Sequence, residues 1–151
     1  MRPSKEIEIE AELTACIDSQ NNDYAPVTIT FQYSDWNLPS SDIAETAAEH
    51  WNSFHRKLKR FVHSTDMNWE INGHRVICNQ HRLRGAARLH IYAVIYNFPM
   101  MLSQHKLQEL WGKGNVKLNR ITLNSDSIAK VAGYFAVEHI SMTRKTRLSN
   151  R

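Results

Sequence analysis

Apolar and polar positions recur along this chain with two different periods, and the switches between them mark out its elements. Residues 27–33, Val-Thr-Ile-Thr-Phe-Gln-Tyr, alternate with period two and are rich in β-branched side chains, which predicts a strand. Pro39, Ser40, Ser41 and Asp42 then supply helix-start signals. From there Ile43, Ala44, Ala47, Ala48, Trp51, Phe54, His55, Leu58 and Val62 follow the helical spacing, so a long amphipathic helix is expected. Residues 75–81 and 88–97 predict a hairpin around a basic, glycine-containing loop, with Pro99 ending its second strand. Residues 103–111 predict a short helix closed by Gly112 and Gly114. Residues 116–123 alternate as a strand, and Ser125 or Asp126 caps a final helix reaching Ile140. The order is β-α-β-β-α-β-α, an α+β domain whose helices are expected mainly on one face of an antiparallel sheet.

The two ends read differently. Residues 1–25 form an acidic segment in which Glu6, Glu8, Glu10, Glu12 and Asp18 face a single Lys5 between positions 5 and 18. Residues 6–13 alternate as a strand would, yet Ile9, Leu13, Cys16 and Ile17 also share one helical face, and periodicity leaves both open. Residues 26–142 form the body. Residues 143–151 are polar and basic and are expected to be a mobile tail.

Composition narrows the class. A chain of 151 residues with 42% hydrophobic residues and only four prolines reads as one globular domain. Cys16 and Cys78 suggest neither a disulfide framework nor a zinc site, which fits a reducing compartment. No apolar run approaches the roughly 18 residues of a membrane span, so a cytoplasmic protein without a membrane partner is expected. The net charge is +4. With the acidic charge gathered near the N-terminus, the remainder is more basic than that total, and basic clusters favour a polyanion. Arg56, Lys57 and Arg60, then Arg82, Arg84 and Arg88, then Arg144, Lys145 and Arg147 are the candidate phosphate contacts. Trp36, Trp69 and Tyr33 are candidates for stacking on unpaired bases. No nucleotide loop, Ser-His-Asp arrangement or HExxH spacing is present, and no small-molecule substrate is expected.

Four segments, in order, resemble the HUH superfamily of rolling-circle replication initiators. They are residues 27–31 with Trp36, Leu38 and Pro39; residues 51–60 (W-N-S-F-H-R-K-L-K-R); residues 84–95 (R-G-A-A-R-L-H-I-Y-A-V-I); and residues 111–114 with 128–142 (I-A-K-V-A-G-Y-F-A-V-E-H-I-S-M). The resemblance implies a ferredoxin-like or RRM-like fold and single-stranded DNA as substrate. It also implies Mg²⁺ or Mn²⁺ held by two histidines one residue apart on a strand, and a helix-borne tyrosine that attacks the scissile phosphate. The spacing suits the strand period, because residues i and i+2 share a face.

Carried onto this chain, His90 takes the first metal position and Tyr134 the nucleophile position. Tyr92 stands where the second histidine would be, and a neutral phenol is a poor ligand for a hard cation. The third ligand falls near Asn79, Gln80 and His81, which include no carboxylate; His81 is the substitute candidate. The family's lysine falls on Val137 and its second tyrosine on Glu138, leaving Lys130, one turn before Tyr134, as the alternative cation. Two functions follow. One is a metal-dependent nickase acting through a phosphotyrosine. The other, favoured by the three departures together, is a non-enzymatic protein of a phage, plasmid or other mobile element, with no cofactor. It would bind DNA or a host nucleic-acid-targeting complex as a regulator or small inhibitor.

Overall fold

The computed structural model describes residues 4–19, 23–34, 43–80, 88–135 and 144–148. Among the described residues nine elements follow one another: α1 (Ser4–Asp18), β1 (Tyr24–Gln32), α2 (Ile43–His63), β2 (Gly73–Gln80), β3 (Arg88–Pro99), α3 (Gln104–Trp111), β4 (Val116–Arg120), α4 (Ser125–Tyr134) and β5 (Arg144–Arg147). All strand pairs are antiparallel, in the order β4-β1-β3-β2-β5, which puts β3 at the centre. The α+β class and the antiparallel sheet are as the sequence predicts.

Helices cover both faces of the sheet, not mainly one. Ile91, Ala93 and Ile95 of β3 join Val27, Ile29 and Phe31 of β1 in a core closed by α2 (Trp51, Phe54, Leu58) and α3 (Leu107, Trp111). Successive strand residues point to opposite faces. Val94 and Tyr96 therefore look the other way, into a second core with Val76, Ile9 and Leu13 of α1, Ile128 and Ala132 of α4, and Phe135. The sequence carries the reason: residues 91–96, Ile-Tyr-Ala-Val-Ile-Tyr, are apolar without interruption, the pattern of a strand covered twice. The acidic segment supplies that second cover. It is a helix whose Ile9 and Leu13, one turn apart, are fully buried, while its carboxylates line the flanks.

The caps are local and specific. Ser103 accepts a hydrogen bond from the Lys106 amide (3.1 Å), and Gly112 in the left-handed region closes α3. Asn124, rather than Ser125 or Asp126, caps α4 by accepting from the Ser127 amide (2.8 Å). Asp126 instead sits in the first turn, where a carboxylate complements the helix dipole. The expected extension of that helix to Ile140 lies outside the described residues, as do the start signals at 39–42.

The C-terminal segment is not wholly a tail. Residues 144–147 form β5 on the edge of the sheet against β2, with Arg144 opposite Ile77. Leu148 explains the anchoring: its side chain is buried in the α2-side core and its amide donates to the Gly73 carbonyl (2.9 Å).

Two histidines of α2 make stability pH-dependent. Burial is the main cause that lowers the pKa of His55 and of His50 below the ordinary 6.5, with Lys59 and Lys113 respectively pushing the same way. Tyr33 lies within hydrogen-bond distance of His50 Nδ1 (2.8 Å). Below about pH 6.5 the unfolded chain binds protons that the folded chain refuses, so stability is full above that pH and falls as pH drops through the folded values. Thermal melts should therefore give a Tm that declines from pH 7 to pH 5. A flat profile over that range would contradict the burial of these imidazoles.

Candidate functional site

Three aromatic side chains meet at one end of the central strand. His90 and Tyr92, two residues apart on β3, share the face covered by α1 and α4, and α4 brings Tyr134 over them. Tyr134 Oη lies 2.9 Å from His90 Nε2, a hydrogen-bond distance. The Tyr134 ring lies on the Tyr92 ring with centroids 4.0 Å apart and planes inclined by 33°. Phe135 flanks Tyr92 at 5.5 Å. Tyr134 keeps 37% of its surface exposed, and His90 is partly exposed. His90 and Tyr92 thus share a face, as the strand period predicts, and Tyr134 meets them there.

The electrostatics decide what this group can hold. Burial raises the pKa of the Tyr92 phenol, while a hydrogen bond with Thr28 on β1 works in the opposite, weaker sense. Tyr92 therefore stays neutral at physiological pH and offers no anionic oxygen to a hard cation. Its ring is part of the second core, a floor on which Tyr134 rests. Directly across from His90 on β2 is Cys78, followed by Asn79 and Gln80, so that strand brings no carboxylate. Among the described residues, His90 belongs to no group of three or more metal-capable side chains. His81 lies outside the described residues. Lys130 is exposed one turn before Tyr134 on α4. Val137 and Glu138 lie outside the described residues.

The basic candidates divide between the two sides of the molecule. Arg56, Lys57 and Arg60 lie on the outer face of α2, which packs on the face of the sheet opposite to His90. Arg88 opens β3 two residues before His90, and Arg144 opens β5 against Ile77, next to the Cys78 that pairs with His90. Lys145 follows opposite Val76, and Arg147 lies further along, opposite His74. Backbone register therefore gathers Arg88 and Lys145 on the His90 face at this end of the sheet, while Arg144, paired with Ile77 of the α2-side core, takes a position on the opposite face. Arg82 and Arg84, in the connection from β2 to β3, lie outside the described residues, as does Trp36.

Two of the expected stacking residues are core. Trp69 is 2% exposed and its Nε1 donates to the Asn97 carbonyl (2.8 Å). Tyr33 is also buried, edge-on to Trp111 with centroids 5.3 Å apart. Neither ring can take a base. Tyr134, assigned from the sequence only as a nucleophile, is the exposed aromatic of this site.

No protein-family model matches the chain, and no curated protein matches it. No helix among the described residues is long and apolar enough to cross a membrane. A second polar group on the same sheet face, formed by Glu8, Glu12 and His74, is not evident from the sequence. Its signal is the spacing of Glu8 and Glu12, which becomes a shared face only once residues 4–18 are known to be helical.

Proposed function

We propose that this chain is a single-stranded nucleic-acid-binding protein built on a replication-initiator-like domain, and that it does not nick. The observation that carries the reading is the Tyr134 ring, exposed, resting on Tyr92 and fixed by His90, on the face and at the end of the sheet where Arg88 and Lys145 sit. A fixed exposed ring offers a stacking surface to an unpaired base, and flanking cations meet the phosphates. The succession β1-α2-β2-β3-α3-β4 with the order β4-β1-β3-β2 supports a ferredoxin-like plan for the central part. The resemblance of the four segments to initiators of mobile elements adds to it.

Nicking would need a metal to polarise the phosphate, and beside His90 the Tyr92 phenol stays neutral and β2 brings no carboxylate. One observation favours the nickase instead: a hydroxyl within hydrogen-bond distance of an imidazole is also the arrangement of a nucleophile and its base.

Incubation with labelled single-stranded DNA and Mn²⁺ separates the readings. Binding that weakens with salt and leaves no covalent adduct is expected. Tyr134→Phe should bind as the parent does, and Tyr134→Ala should lose about 1–3 kcal/mol, the range for one stacked base. An adduct that disappears in Tyr134→Phe would establish the nickase. Absence of any binding would turn the reading toward a protein partner, such as a host nucleic-acid-targeting complex.

A further inference from the structure

We infer that Glu8, Glu12 and His74 form a binding site for a zinc-type dication between α1 and the sheet, separate from the His90 group. Glu8 and Glu12 are one helical turn apart and present their carboxylates on one side of α1. The His74 side chain is 1% exposed on β2, and its Nε2 lies 3.0 Å from Glu12 Oε1 and 3.7 Å from Glu8 Oε2. One donor atom from each residue lies within 4.8 Å of the other two.

Those separations are close to those of a coordination shell. An ion holding nitrogen and oxygen ligands at about 2.0–2.2 Å in a tetrahedron places its donors roughly 3.3–3.6 Å apart. The donor set also selects the ion. A buried imidazole disfavours Mg²⁺ and Ca²⁺, which take oxygen ligands, and suits zinc or cobalt. Two carboxylates balance the charge of a dication. Burial keeps His74 neutral, and with its single ring proton on Nδ1 the Nε2 lone pair is available to the ion.

The surroundings support the assignment independently of the three ligands. Tyr96 Oη donates to Glu12 Oε1 (3.0 Å), the kind of outer contact that orients a ligating carboxylate. Lys5 Nζ reaches Glu8 Oε1 at 3.2 Å from the exposed side. Glu12 and Tyr96 also line a cavity of about 670 Å³ with Cys16, Asn97 and Arg120. Of the three ligands Glu12 lines this cavity, and a three-residue set leaves the fourth coordination position to water or to a small anion, the arrangement of an open rather than a closed zinc site.

The test uses the full chain, with Zn²⁺ titrated by calorimetry and Co²⁺ followed by its visible absorption. One ion per chain, a Tm that rises with Zn²⁺ and falls on chelation, and a tetrahedral-type Co²⁺ spectrum are expected. Glu8→Gln, at a partly exposed position that should leave the fold intact, should weaken binding on the order of tenfold or more. Glu12→Gln should do at least as much. His74→Ala removes the buried ligand, and circular dichroism would show whether it folds; the two glutamine variants decide the matter if it does not. Absence of stoichiometric binding would overturn the proposal. So would binding that survives both glutamine substitutions unchanged, since the ion would then sit on other histidines.

Discussion

Phe31→Ala is expected to cost about 3–5 kcal/mol, the range for truncating a fully buried phenylalanine, and to lower Tm by roughly 6–20 °C in a chain of this size. Phe31 has no exposed surface and is the hub of an aromatic cluster under α2 and α3. Its ring centroid lies 5.3 Å from that of Trp51, 4.8 Å from Phe54 and 5.1 Å from Trp111, all with the planes steeply inclined. Inclined aromatic pairs contribute beyond their buried area, so the alanine both opens a cavity and takes away the ring that the others pack against. These partners come from α2 and α3, and collapse around the gap would require two helices to move together. Urea or thermal unfolding measures the effect; a change below about 1 kcal/mol would mean the cluster is not packed as described.

Gly73→Ala is expected to destabilise by at least about 2 kcal/mol, for a reason that lies in the backbone. A Cβ at this position would stand 2.0 Å from the Val94 carbonyl oxygen and 2.9 Å from Ile95 Cα. Neither atom can rotate away, so β2 and β3 must part at the point where they begin to pair. The same corner holds the hydrogen bonds from the Leu148 amide to Gly73 and from the Tyr96 amide to Asn72, so the disturbance reaches the anchor of β5. Gly133→Ala is the contrasting case. Its Cβ would meet only the Glu6 side chain at 3.6 Å, and it lies within α4. That substitution should be neutral or stabilise by about 0.4–1 kcal/mol. Equal effects at the two glycines would contradict the close approach at Gly73.

What the sequence disclosed depended on whether a pattern was local. The alternation at 27–33, the long stripe from Ala47 to Val62 and the serine and glycine around α3 each encode their element within a few residues, and each appears in the structure. The ends were harder, because their roles come from distant partners. Residues 6–17 fit strand or helix equally well until Ile9 and Leu13 find the second face of the sheet. Arg144–Arg147 looks like a solvated tail because the strand it pairs with lies far away in the chain, and Leu148 is the apolar residue that anchors it. The shared face of His90 and Tyr92 followed from the two-residue strand period, whereas the place of Tyr134 beside them was implied by the resemblance to the initiators. The division of the basic residues between two sides of the sheet followed from neither, since a linear charge count carries no information about layers.

Affinity for single-stranded DNA as a function of salt, measured on two sets of charge reversals, tests the proposed function most directly. Arg88→Glu and Lys145→Glu alter the face and end of the sheet that hold Tyr134; Arg56→Glu and Arg60→Glu alter the outer face of α2. The first pair should weaken binding and lower the salt slope by about 0.7 for each phosphate no longer neutralised, while the second pair should leave both unchanged. Abolished binding in the α2 pair alone, with the first pair indistinguishable from the parent, would place the nucleic acid on the opposite side of the sheet and contradict the role given to Tyr134.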